Sequence, residues 1–124
     1  MIIIADRSKK IKAYLHNNII LVPGTMEVLG VILGSCVFGK DGKIKGKYFH
    51  KKFYSNSGEI VAMDYGSFDD KTIDTTIVLQ EGWNLITNIT NHNCPWIYPL
   101  EKWSFIEIVQ LLRDPSPEIE PAVV

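Results

Sequence analysis

The sequence predicts a mainly β fold, α+β overall, with four tandem β-hairpin repeats in a pseudo-four-fold arrangement and a small C-terminal α/β appendage. Three observations predict it. Residues 1–66 return every 16 or 17 positions to the same order of apolar strand, turn, β-branched residue and small residue. Glycine-containing turn dipeptides recur in phase with that order. From Ser67 the period is lost, and the sign of the charge changes with it.

The four units open on Ile2-Ile3-Ile4, Ile19-Ile20-Leu21, Cys36-Val37-Phe38 and Phe53-Tyr54. Turn-rich stretches follow: Asp6 to Lys9, Pro23 to Met26, Lys40 to Lys43 and Asn56 to Glu59. Asp41-Gly42 and Ser57-Gly58 supply the positive φ that tight hairpins require. Units one and two are expected to carry one extra turn residue. Each turn leads to a β-branched residue (Ile11, Val28, Ile44, Ile60), then two positions on to a small one (Ala13, Gly30, Gly46, Ala62). A separation of two puts both side chains on one face of a strand. Small residues at that recurring position let the backbones of converging hairpins approach each other. Second junctions at Asn17-Asn18, Gly34-Ser35 and His50-Lys51 lead into the next unit.

Across residues 1–66, and most closely from Phe38 to Lys47 and Tyr54 to Asp64, the chain resembles the four-fold β-flower domain, a family of small bacterial proteins. The resemblance implies four hairpins about one axis. It implies no activity and no catalytic residues. Unit two departs from the pattern, with Pro23-Gly24 in its turn.

Residues 67–114 are expected to form the appendage. The β-branched run Ile73 to Gln80 is expected to add a strand. Trp83 to Thr90 fits either period, and Leu85, Ile86 and Ile89 tip it toward helix. Ser104 and Glu107 form a capping-box pattern flanked by Trp103 and Ile108, which predicts a helix over 105–113 ending before Pro115. Residues 115–124, with three prolines and two glutamates, are expected to be a disordered tail.

The net charge of −1 argues against a dedicated polyanion binder. The halves differ, however: residues 1–66 carry ten Lys/Arg against five acids, and residues 67–124 carry three against nine. That asymmetry means either a basic binding face or two halves that dock. The stretch Ile19 to Gly39 has one charge, Glu27, yet Pro23 and four glycines divide it, so no membrane span is expected. Two cysteines are too few for a disulfide framework, and no secretory leader is read before Asp6 and Arg7. Free thiols in a reducing cytoplasm are the expectation.

Several motifs bear on chemistry. Gly34 to Lys40 matches most of a phosphate loop, but Asp41 stands where a hydroxyl must reach Mg²⁺, and a hairpin follows instead of a helix. His92-x-Cys94 offers two ligands without the paired clamp that zinc needs, so no metal and no cofactor is expected. No nucleophile, base and orienting acid stand together, so no catalytic residue is assigned. Asp69-Asp70 reads as a solvated loop. Bases interleave with aromatics from Lys43 to Tyr54, strand alternation is expected to project Lys43, Lys45 and Lys47 from one face, and with Tyr48, Lys51 and Lys52 they suit single-stranded nucleic acid. The plainer reading is a solvated face beside an aromatic core. Trp96, Tyr98 and Trp103 are candidate partner contacts if exposed.

The function expected is a non-enzymatic binding or protein-interaction module, acting on an unknown protein partner or by self-association. Nucleic-acid binding through the basic-aromatic face is one alternative. A small enzyme or metal protein using His92 and Cys94 is another.

Overall fold

In the computed structural model, which describes residues 1–113, eight antiparallel strands close into a barrel in sequence order. They are β1 Ile2–Ala5, β2 Ile11–His16, β3 Ile19–Leu21, β4 Val28–Leu33, β5 Cys36–Gly39, β6 Ile44–Phe49, β7 Lys52–Ser55 and β8 Ile60–Ser67. β1 pairs with β8, which leaves the sheet with no open edge. Two helices follow, α1 Thr76–Asn88 and α2 Ile108–Arg113. The expected tail lies outside the described residues.

Each of β1–β2, β3–β4, β5–β6 and β7–β8 carries one register shift, after Ile4, Ile20, Val37 and Phe53 in turn. Those four residues pair with Ala13, Gly30, Gly46 and Ala62. The small residues therefore face inward at one level of the barrel. A Cβ on Gly46 would run into the carbonyl oxygen of Tyr54 on β7, so the close strand approach there requires glycine. The extra residue at each shift is Lys12, Leu29, Lys45 or Val61. Such bulges bend and twist the strand, which is what closure of a small barrel needs.

The turns close with amide-to-carbonyl bonds from Asp6 to Lys10, Val22 to Glu27, Gly39 to Lys43 and Ser55 to Glu59. Only unit two has the additional residue, so the expectation for unit one is corrected. Lys9, Met26, Gly42 and Gly58, at matching positions of the four turns, all have positive φ.

Two apolar clusters result. Inside the barrel, Ile4, Leu15, Ile20, Ile32, Val37, Phe53 and Val61 pack together with Ile108 and Leu112 of α2. α2 thus plugs the turn end of the barrel. Outside, Ile19, Leu21, Val28, Val31 and Phe38 pack against Val78, Leu85 and Ile89 at α1. Strand β4 is covered on both faces. This burial accounts for the greasy run Ile19 to Gly39; no helix of the described residues is long and apolar enough to cross a membrane.

The appendage differs from expectation in three places. Ile73 to Gln80 adds no strand; Thr76 onward is helix. Val78, Gly82 and Leu85 fall on one helical face, and burying that face outweighs the β-branched preference of Thr76, Ile77 and Val78. Gly82 lets the helix lie on Ile19, whose side chain would meet any Cβ there. The helix expected from residue 105 begins at Ile108. Ser104 accepts from Ile106 N at 3.1 Å, while Glu107 turns to Lys12 at 2.6 Å, so no capping box forms. Finally, Cys36 and Cys94 are joined in a disulfide. Their Cα atoms are 6.0 Å apart, and a separation of 58 residues hid the pairing from local sequence reasoning.

Ion pairs of both polarities join the two halves, so the charge asymmetry by itself does not account for their docking. Lys12–Glu107, Lys102–Glu59 and Arg113–Glu27 all join the barrel to the appendage.

Candidate interaction surface

The segment 94–104 is irregular, yet it is held at several points. Its start is bonded to β5 through Cys94. Leu100 N donates to Gly58 O at 2.9 Å, Ile60 N donates to Lys102 O at 2.8 Å and Ser104 N donates to Ile60 O at 2.8 Å. Gly58, at φ +89°, lies so close to the Tyr98 carbonyl that a side chain at 58 could not be accommodated. Ile97 is buried as the anchor between two aromatic residues pointing outward. Trp96 is 80% exposed and Tyr98 75% exposed. Trp103 is different: it bridges to Ile60 and is half-buried, so it supports the segment and presents little surface.

The Lys47 ammonium lies 5.7 Å from the centre of the Trp96 ring, within cation–π range. Ser35, Lys47, Phe49, Trp96, Ile97 and Pro99 line a cleft of about 220 Å³ beneath it. Phe49 stacks on Tyr54 at 4.8 Å, which stiffens the wall of that cleft.

The six residues of the basic stretch do not share one face. Alternation would put Lys43, Lys45 and Lys47 together, but Lys45 is the bulged residue, and the bulge breaks the period of two. Lys45 is buried, with its ammonium 3.0 Å from Asp41 Oδ2. Lys47 faces outward opposite Cys36. Lys43 and Lys51 are exposed in or beside turns, and Lys52 is half-buried at the start of β7. Tyr48 points into the barrel and donates to both Asp64 oxygens at 2.8 Å.

That Tyr48–Asp64 pair is the residue combination that sequence reasoning missed. The signal was present: Leu15, Ile32, Tyr48 and Asp64 stand two positions beyond the four small residues, and only the last two depart from aliphatic. Burial, then the bond to Asp64, raises the Tyr48 phenol well above its ordinary value. Burial also raises Asp64, opposed by the Tyr48 bond and the charge of Lys51.

His92 and Cys94 do not form a reactive pair. The Cys94 sulfur is committed to Cys36, and a disulfide sulfur is neither a thiolate nucleophile nor a metal ligand. His92 Nε2 lies 3.1 Å from Ile89 O. Among the described residues no group of three or more His, Cys, Asp or Glu side chains could hold a metal ion.

No protein-family model, curated protein or solved structure matches the chain.

Proposed function

We propose that the chain is a non-enzymatic protein-interaction module. Its four hairpins form a pseudo-four-fold scaffold of the β-flower kind, and the Trp96–Tyr98 segment meets the partner. One observation carries this reading: two large aromatics are extended into solvent from a backbone pinned on either side of them. Aromatic side chains held in this way lose little conformational freedom on binding, which is why they dominate protein interfaces. Lys47 beside Trp96 favours a partner whose apolar contact surface is edged by carboxylates.

The disulfide bears on the compartment we propose. Such bonds persist where thiols are oxidised and are rare in a reducing cytoplasm, so an oxidising compartment replaces the cytoplasm as the proposed setting. Nucleic-acid binding has less support, because Lys45 and Tyr48 are turned away from the surface that Lys47 presents.

Site-specific photo-crosslinking tests the proposal. A benzophenone side chain at position 98 is expected to give one discrete adduct, and the same group at exposed Lys71 none. An adduct of dimer mass would make the partner a second copy. No adduct from position 98, or the same adducts from both positions, would overturn the reading.

A further inference from the structure

The groove between α1 and the tip of the second hairpin is independent of the aromatic segment. It measures about 650 Å³, within the range of small-molecule sites. Met26 and Val28 of the hairpin and Ile77, Val78 and Leu85 of α1 supply its apolar lining. Its charged groups are Glu27, Asp74, Glu81 and Lys40.

Three features converge on this place. First, the hairpin tip that forms one wall belongs to the unit that departs from its siblings. It alone has the additional turn residue, and it carries a methionine at φ 60° where units three and four have glycine. Second, Ile77 is 69% exposed in the lining, a large apolar side chain that the fold itself leaves uncovered. Third, the charges do not balance. Glu27 already draws two of the protein's own cations, Lys40 at 3.4 Å and Arg113 at 2.8 Å. Glu81 has no cationic partner among the described residues. Asp74 accepts only from Thr76, and those bonds hold its carboxyl below the usual range, so it stays ionised.

We propose that this groove binds a small organic cation, with its apolar body against Ile77, Val78 and Met26 and its ammonium or guanidinium group toward Glu81 and Asp74. The apolar lining provides the contact area and the unpaired carboxylates provide the selectivity. An anion would meet like charge, and a neutral molecule of the same shape would leave the carboxylates unpaired. Glu81 is the group to change, because it is exposed and makes no contact that the fold needs.

The test is an amide-resolved NMR titration of the whole chain with hexylammonium, and with 1-hexanol and hexanoate as matched probes. Saturating shifts are expected for hexylammonium at the amides of Thr25 to Val28 and Ile77 to Asn88. Glu81→Gln should weaken binding by roughly five-fold, as expected for loss of one partly exposed charge contact, with an unchanged spectrum elsewhere. Ile77→Ser should weaken hexylammonium and hexanol alike. The proposal is overturned if hexanol or hexanoate binds as well as hexylammonium, if shifts scatter over the surface without saturating, or if Glu81→Gln leaves the affinity unchanged.

Discussion

The Tyr48 hydroxyl sits 2.8 Å from both oxygens of Asp64 across the barrel interior, at the level where the other two units place Leu15 and Ile32. The two residues belong to β6 and β8, which are not neighbours in the sheet. Their contact ties unit three to unit four through the interior instead of along a hydrogen-bonded ladder.

Removing one member of this pair costs more than removing both. Tyr48→Phe leaves a half-buried carboxylate without its donor and is expected to destabilise by about 1–2 kcal/mol. Replacing the pair by Phe and Leu, apolar like Leu15 and Ile32 at the matching positions, should recover most of that loss. Urea unfolding of the two single variants and the double variant measures the coupling.

The same pair sets two pH dependences. Both groups hold their protons more tightly when folded, so the folded state binds more protons and stability falls as pH rises through each titration. For Tyr48 the loss begins near pH ~10, where an unfolded tyrosine ionises. For Asp64 stability is highest below about pH 4 and declines as pH rises through its elevated folded value. Chemical denaturation across pH should show both slopes, with Tyr48→Phe abolishing the alkaline one and Asp64→Asn the acidic one.

The disulfide ties the outer wall of β5 to the segment bearing Trp96. Cys36→Ser with Cys94→Ser is expected to cost about 2–4 kcal/mol, the usual range for a long closed loop. Hydrogen exchange should quicken at residues 92–100 more than in β1 or β8. Thiol counting on protein quenched in acid directly from its source should find both cysteines oxidised.

His50 and Lys51 both occupy the left-handed region, at φ 52° and 62°, in the two-residue turn between β6 and β7. Side chains there cost about 1–2 kcal/mol each. Substituting Asn-Gly, the pair suited to such a turn, should stabilise the fold by roughly 1 kcal/mol in thermal or urea unfolding.

Trp96 and Ile108 separate surface from core. Trp96→Ala should change stability by less than about 0.5 kcal/mol, since so little of the ring is covered. Ile108→Ala should cost about 2–4 kcal/mol, because Ile108 is 1% exposed and completes the barrel core from α2. Denaturant midpoints of the two variants provide the comparison.

The hairpins were legible in the sequence because their determinants are local. The apolar triplets, the turn residues at matching positions and the small residues two beyond each β-branched one all lie within one unit, and each reports on its own backbone. The register shifts, the disulfide and α1 were not legible in that way. A bulge at Lys45 is decided by how β6 must bend against β5 to let the barrel close, and it took Lys45 off the face on which strict alternation placed it. Cys36 and Cys94 meet only because the chain returns to β5 after 58 residues. The stretch from Thr76 to Val78 has the composition of a strand, but a closed barrel leaves no edge for another one. What it does leave is the apolar outer wall formed by Ile19, Leu21 and Val31, and a helix with Val78, Gly82 and Leu85 on one face buries that wall. Local backbone preference therefore specified the eight strands. The long-range demands of closing the barrel and covering its wall decided where the appendage went and which side chains reached the surface.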